Sequence, residues 1–240
     1  MEFGKLALLG FGPEGWGLVL VRAGLMTLAV SVAAFVFGLG LGILIAWARI
    51  GGNAVLRRLA ETYVVVLRGV PDILVIYLFY FGGRQVVTAI GTGLGFEGPF
   101  DISGFVAGML AIGLISAAGQ SEVLRGAYQA VPKGMVEAGR VVGMTRLTLF
   151  RRVIAPQAMT TALPGMGNQW QSVIKETALV SVTGLVETMR QVSVAAGTTQ
   201  EHFLFYAAGA VIYLCITTVS DQIFRLAERR SLRGHPQGGM

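Results

Sequence analysis

Long uncharged stretches separated by basic segments are the main pattern along this chain. Residues 23–48 hold no charged side chain, and residues 102–121 and 203–224 are similarly apolar. Because about 20 apolar residues cross a bilayer as a helix, each stretch predicts a membrane span. In the first of them, Gly38 and Gly42 form a small-xxx-small face, which allows a second helix to approach closely.

Two further spans are less regular. Residues 73–83 are too short to cross alone, and we expect the span to extend back through 63–67 with a break at 68–71, where a proline removes a backbone donor. Residues 153–174 carry prolines and amides and predict a polar span inside the bundle, followed by a re-entrant or interfacial piece at 178–186. The pattern predicts an all-α integral membrane protein with five transmembrane helices in one domain, residues 1–240.

Basic residues gather on one side of this five-span topology. Fourteen fall on one side and five on the other. The first set is Arg49, Arg57, Arg58, Arg68, Arg125, Lys133, Arg140, Arg146, Arg151, Arg152, Arg225, Arg229, Arg230 and Arg233. The second set is Lys5, Arg22, Arg84, Lys175 and Arg190. Because cytoplasmic loops carry the excess of Lys and Arg, we expect the N-terminus outside and the C-terminus inside.

Composition supports a membrane protein and argues against an enzyme. Only 13% of residues are charged, against about 25% in a soluble domain, so the net charge of +6 relates to topology and lipid rather than to nucleic acid. Cys215 is the sole cysteine and the histidines number two, which argues against a metal site. The chain contains no P-loop, H-E-x-x-H or G-x-S-x-G motif, so we expect no catalytic, cofactor-binding or metal-ligating residues.

The loop 122–156 is the most informative segment of the sequence. Its middle, 136–144, predicts a short helix with Glu137 in the first turn, where the helix dipole favours an anion. Gly139 and Gly143 are four residues apart, so they would share one face that a partner can approach closely. The alternative is an amphipathic helix on the membrane surface. Such a helix would carry large apolar residues on its contact side rather than two glycines.

This loop resembles the EAA loop of ABC importer permeases, E-A-A-x3-G-x9-I-x-L-P. The matching run is Glu137-Ala138-Gly139-x3-Gly143-x9-Val153-Ile154-Ala155-Pro156. Glycine replaces the second alanine, valine replaces isoleucine and alanine replaces leucine. All three are exchanges among small or apolar residues, so the close-packing face is kept.

Flanking segments are similar to the polar amino-acid uptake branch of that family. Residues 68–71 resemble its R-G-T-P segment, and 121–126 resemble its A-E-x-x-R-G segment. Residues 131–134 match the run that leads into the loop, while 163–168 and 175–179 match the signatures of the fourth span and the re-entrant piece. The resemblance covers about 18–230. It is closest to the Q-type permeases of histidine/lysine/arginine/ornithine and opine importers.

The resemblance implies a type I ABC importer of the bacterial inner membrane. Two permease subunits, usually two different ones, form the pore, so the second is expected to be a paralogue. A dimer of ATP-binding subunits would contact Glu137, Ala138, Gly139 and Gly143, and a periplasmic amino-acid-binding protein would deliver a polar, basic amino acid. This chain would bind no ATP or cofactor. It would convert closure of the ATPase dimer into opening of the pore to alternate sides.

Polar side chains near the fourth span are the candidate pathway residues. Asn168 and Gln169 are the first choices, because amides at membrane depth need a partner or a wet cavity and the family uses this span at the pore. The alternative for both is interhelical hydrogen bonding. Glu176 is the third candidate. It could supply an acidic contact for a cationic substrate or pair with Lys175 at the membrane edge.

The helix break at 68–71 lies between two residues of opposite charge. Arg68 and Asp72 are four residues apart, and we expect an ion pair at the helix break rather than a gate.

An ion-gradient-driven secondary amino-acid transporter is the alternative function. It would need buried carboxylates within spans and usually inverted repeats in a larger chain, and neither is evident in the sequence.

Overall fold

The computed structural model describes residues 3–13, 15–95 and 102–232, and every regular element in these ranges is helical. Arg233 of the basic tail and His235 lie outside the described residues. Four described helices are long and apolar enough to cross a membrane. They are α1 (Gly17–Gly51), α3 (Asp72–Gly93), α4 (Gly104–Gln129) and α9 (His202–Leu232). Shorter elements are α2 (Ala54–Gly69), α5 (Lys133–Val141), α6 (Arg146–Leu149), α7 (Ala155–Glu176) and α8 (Thr188–Thr199).

The second predicted span is broken where expected but extends in the other direction. Val70 and Pro71 are in extended conformation and end α2, so residues 63–67 belong to that separate helix. The span instead begins at Asp72 and continues forward to Gly93 through a π-helical turn at Leu78–Gly82. The sequence-based extension was wrong because α2 is amphipathic, with Arg57, Arg58 and Glu61 among its residues.

A tyrosine joins α2 to α4. The hydroxyl of Tyr63 donates a 2.6 Å hydrogen bond to the carbonyl oxygen of Leu114. Burial raises the pKa of Tyr63 to about 12, so the hydroxyl remains a donor at neutral pH. The acceptor is a backbone carbonyl inside a helix. We therefore assign this bond a structural role, which is to hold α2 against α4.

The most extensive contact between described helices joins α1 and α4 and includes the predicted glycine face. A Cβ at Gly38 would lie 2.9 Å from the carbonyl oxygen of Gly113, and one at Gly42 would lie 3.2 Å from that of Ala117. Side chains longer than hydrogen would therefore push the two backbones apart. The expectation of close approach at Gly38 and Gly42 is confirmed. Gln120 completes this contact by donating to the carbonyl oxygen of Phe35 across the two helices.

The predicted fourth span is a continuous helix of membrane-crossing length. With 22 residues, α7 is about 33 Å long, against about 30 Å for the hydrocarbon core. It is too polar to count among the four apolar spans, and it packs against α4 and α9. The predicted piece at 178–186 corresponds to the 3-10 helix Thr177–Thr183, which ends at Gly184 in left-handed conformation.

A buried polar cluster fixes α8 against α1 and α9. The carboxylate of Glu187 is fully buried and caps α8 by accepting from the backbone N–H groups of Met189 and Arg190 at 2.8 and 2.7 Å. Tyr213 of α9 donates to the same carboxylate at 3.1 Å. The hydroxyl of Thr27 in α1 accepts a bond from the backbone of Thr188. The start of the chain is therefore joined to its last two helices at one hydrogen-bonded polar centre.

The α1–α4 contact can be tested with a single methyl group. Gly38→Ala should destabilise the protein, because the new Cβ meets a backbone carbonyl that cannot rotate away, and overpacking costs about 1–3 kcal/mol. Gly40→Ala is the matched control on the same helix, since nothing lies within 4 Å of a Cβ there. Thermal unfolding in detergent should give a clearly lower Tm for the first variant only. Equal Tm values would contradict the glycine contact.

Candidate functional site

A polar cavity of about 370 Å³ lies between α2, α3, α4 and α7. It brings together Gln169 and Glu176, which were predicted as pathway residues, with Arg68 and Asp72 from the helix break. The complete lining is Leu67, Arg68, Asp72, Ile115, Ser116, Gly119, Glu122, Val123, Gln169, Ser172 and Glu176. Such a lining at the level of apolar helices is costly unless it is wet or binds a polar molecule.

Glu176 has a carboxylate oxygen without a protein partner. Its Oε2 atom is buried and accepts no hydrogen bond in the described part of the chain. Lys175 is exposed, and no ion pair joins the two side chains among the described residues. The local ion pair with Lys175 is therefore not formed. Asp72 lines the same cavity as Glu176, so two carboxylates make the cavity acidic.

The ion pair expected between Arg68 and Asp72 is also not formed. Both side chains line the cavity, but no ion pair joins them in the described ranges. The i,i+4 rule applies within one helix, whereas these residues belong to α2 and α3, with extended backbone at Val70 and Pro71 between them. The prediction was wrong for this reason. The cavity keeps one guanidinium and one carboxylate that are not paired with each other.

Glu122 differs from the other two carboxylates because arginines compensate its charge. Its Oε1 accepts from Nη1 of Arg49 at 2.7 Å, and its Oε2 accepts from Nη2 of Arg125 at 2.8 Å. Arg49 comes from α1 and both other residues from α4, so the network also links the ends of these helices. Asp72 and Glu176 are thus the two carboxylates of the cavity that lack a cationic partner.

Asn168 lies away from this cavity, although it precedes Gln169 in sequence. Successive residues of an α-helix point about 100° apart, and Asn168 is exposed and lines a separate cavity of about 180 Å³ beside α9. The two amides predicted as pathway residues therefore belong to different surfaces. Thr161, Pro164 and Lys175 are exposed on α7 as well. With Asn168 they leave a polar, uncovered side on this helix.

The loop between α4 and α7 contains the predicted coupling helix, with different limits. α5 runs over Lys133–Val141 rather than 136–144, because Pro132 sets its start. Glu137 consequently lies in the middle of the helix and not in its first turn, which corrects that prediction. Glu137 and Ala138 are both exposed, so they are available to a partner.

Gly139 and Gly143 do not share an exposed face, contrary to the prediction. Gly139 is buried, and a Cβ there would collide with Leu149 and approach Met144. Gly143 lies beyond the helix with φ of +79° and nothing within 4 Å. Bonds from Met144 N to Gly139 O and from Gly143 N to Arg140 O, both 3.0 Å, form a Schellman motif. The left-handed residue of this motif explains the glycine at 143.

Two valines that were not predicted from the sequence complete the exposed surface of this loop. Val141 and Val142 are 86% and 71% exposed at the end of α5. Together with Ala138 they form an apolar patch that protrudes from a loop rather than from a span. Adjacent β-branched residues directly before the helix-ending glycine could have indicated it. We name Glu137, Ala138, Val141 and Val142 the loop patch.

Comparisons with known proteins match nearly the whole chain. The family model for "Binding-protein-dependent transport system inner membrane component" matches residues 38–233. The octopine transport system permease protein OccQ of Rhizobium meliloti is 52% identical over 98% of this chain and 99% of its own length. The histidine/lysine/arginine/ornithine transport system permease protein HisQ of Escherichia coli K12 is 37% identical, covering 90% of this chain and 94% of its own.

Solved structures give the same picture of the fold. The crystal structure of an amino acid ABC transporter with histidines contains a chain 31% identical to this one, with a TM-score of 0.77 over 90% of this chain and 95% of that chain. An inward-facing MetNI methionine ABC transporter has a chain at 21% identity, with a TM-score of 0.67 over 88% of this chain and 97% of its own. The second likeness concerns the fold alone.

The left-handed turn after α5 yields a test of the role of Gly143. Asparagine tolerates this conformation, whereas a β-branched residue does not. Gly143→Val should therefore destabilise the closed conformation of the loop by about 1–2 kcal/mol. The open conformation would be more populated, so limited trypsin cleavage after Arg140 should be roughly 5–30-fold faster. Gly143→Asn should cleave at nearly the native rate.

Gly134→Val is the control for this test. Position 134 lies in the same loop, has no positive φ and has nothing within 4 Å, so cleavage after Arg140 should not change. Equal cleavage of the valine and asparagine variants at position 143 would refute the requirement for a left-handed residue.

Proposed function

The chain belongs to the family of binding-protein-dependent transport system inner membrane components, and we propose that it forms the pathway for a cationic amino acid or opine. It is a permease subunit of an ABC importer and not an enzyme, because its relatives are transport subunits of systems in which a separate ATPase subunit hydrolyses ATP. The alternative of an ion-gradient-driven secondary transporter is set aside, because the family and the relatives belong to ABC systems.

The observation that carries the substrate proposal is the charge pattern of the polar cavity. Asp72 and Glu176 have no cationic partner among the described residues, and Arg68 lines the same cavity. A basic amino acid presents cationic groups to the two carboxylates and its own carboxylate to the guanidinium, a geometry in which arginine is effective. The volume of about 370 Å³ falls in the range of small-molecule sites. The names of OccQ and HisQ, which include octopine and basic amino acids, support this class.

We propose further that α7 crosses the membrane as a fifth span, with the N-terminus outside. Lys5 forms a 2.7 Å ion pair with Glu201, and Leu8 and Leu9 pack against the buried cluster that contains Leu20 and Phe205. The start of α1 and the start of α9 therefore lie at the same end of the bundle. The chain would then cross the membrane an even number of times between these two points. Helices α1, α3 and α4 give three crossings, so α7 would supply the fourth.

The uncovered side of α7 supports a second permease subunit beside this chain. Asn168 is exposed at the centre of a helix that we assign to the membrane, and an amide in lipid is costly. A second permease chain, a paralogue by the family resemblance, would cover this side and leave a polar seam between the two subunits. A periplasmic binding protein would deliver the amino acid from the outer end. The complex would reside in the bacterial inner membrane.

The coupling to an ATPase dimer would run through the loop patch. Its side chains are exposed, whereas Gly139 behind them lies against Leu149. Leu149 in turn belongs to a buried cluster with Val131 and Ile154, and Ile154 leads directly into α7. A displacement of α5 by the ATPase would therefore be transmitted to the helix that carries Gln169 and Glu176. Rocking of α7 against α4 would open the cavity to alternate sides.

The substrate proposal is tested by removing one cavity charge. Glu176→Gln should raise the KM for arginine at least roughly tenfold, because a lost charge-assisted bond costs about 1.5–3 kcal/mol. The measurement is arginine-dependent uptake into proteoliposomes that contain the ATPase and the second permease. Glu61→Gln removes an exposed carboxylate of α2 outside the cavity and should leave the KM unchanged. An unchanged KM in both variants would contradict the assignment.

The five-span topology is tested by cysteine labelling in a Cys215→Ser background. If α7 crosses, Lys133→Cys and Gly197→Cys should react with a membrane-impermeant maleimide from opposite sides, the second from outside. If only the four apolar helices cross, both positions lie on the same side, and the same-side result rejects the fifth span.

A further inference from the structure

The cavity has a glycine directly opposite its amide. Gly119 of α4 faces the side chain of Gln169 of α7, and a Cβ built at Gly119 would overlap two terminal atoms of that amide and crowd the third. Oε1 is the nearest of them, Cδ would lie at 2.7 Å and Nε2 at 3.1 Å. The amide therefore occupies the space that any other residue at position 119 would fill.

The Gln169 amide makes no hydrogen bond within the described part of the chain. By contrast, Gln120 on the neighbouring position of α4 donates to Ser116 at 2.7 Å and to Phe35 at 3.2 Å. One amide thus serves helix packing, and the other lines the cavity with its donors and acceptor unused. An unused amide in a substrate cavity is a neutral polar contact for a ligand.

We infer that Gly119 is a positioning residue for substrate recognition: its missing side chain allows the Gln169 amide to lie along α4 and contact the substrate. This inference rests on the proposed function of the cavity. Gln169 would bind a polar group of the amino acid between the carboxylates and Arg68. Gly119 itself would not touch the substrate.

The atoms that face each glycine determine the effect of an added methyl group. At Gly38 the obstacle is a backbone carbonyl, but at Gly119 it is the far end of a flexible side chain. Gln169 can rotate about its side-chain bonds to make room, and alanine is a better helix former than glycine. Gly119→Ala should therefore fold and assemble with the amide displaced, which makes the variant a usable probe.

The experiment is a double-mutant cycle on the assembled importer in proteoliposomes, with arginine as the probe and both KM and kcat measured. Gly119→Ala and Gln169→Ala should each raise the KM by about fivefold to tenfold. The double variant should be no worse than Gln169→Ala alone, because both changes remove the same contact. Gly40→Ala is the control for glycine replacement in a helix and should leave the KM unchanged.

The other possible results of this experiment contradict different parts of the proposal. If Gln169→Ala raises the KM and Gly119→Ala does not, the positioning role is wrong while the pathway stands. Multiplied KM effects in the double variant would mean that the two residues act separately, which also overturns the inference. A loss of kcat in Gly119→Ala that Gln169→Ala rescues would identify a packing defect instead. If Gln169→Ala leaves the KM unchanged, the cavity does not recognise the substrate through this amide, and the inference fails together with that part of the proposed pathway.

Discussion

The need to satisfy polar groups at membrane depth is the constraint on which this structure depends. Lipid offers no hydrogen bonds, so a polar side chain there must find a protein partner or a wet space. The same need of buried polar groups is met elsewhere in the bundle: Glu122 accepts from two arginines, Gln120 bonds across the α1–α4 contact, and Glu187 caps α8. The polar cavity is the exception, because polar side-chain atoms of Glu176 and Gln169 have no hydrogen-bond partner among the described residues.

Close backbone contact makes that exception possible without loosening the bundle. Gly38 and Gly42 let α1 and α4 approach to near the limit of backbone contact, and the buried core of α1, α3, α4 and α7 surrounds the same crossing. α4 is therefore held rigidly on one side, while its other side forms a wall of the cavity. A rigid wall opposite α7 would suit the alternating access that we propose for this cavity. The charged network of Glu122 with Arg49 and Arg125 stiffens the end of this wall.

The loop between α4 and α7 uses glycine for two different purposes. Gly139 is small so that α5 can pack on Leu149, and Gly143 is a glycine because the chain reverses there with positive φ. Neither needs a partner protein to explain it. The exposed residues of the loop patch are the part that lacks an explanation within the chain, and an ATPase surface would supply one. On the proposed function, the motif would combine the internal contact of Gly139 with Leu149 and an external contact with the ATPase.

Sequence alone determined the helical class, the apolar spans, the glycine contact of α1 and the break before Asp72, because these depend on local composition and on proline. The family also followed from local motifs. Tertiary structure decided the rest. It separated Asn168 from Gln169, left Arg68 and Asp72 unpaired, turned Gly139 inward and brought Gly119 under Gln169. These facts depend on how helices rotate about their axes and which neighbours they meet. Such rotation is fixed by packing between residues that are distant in sequence, and no local pattern encodes it.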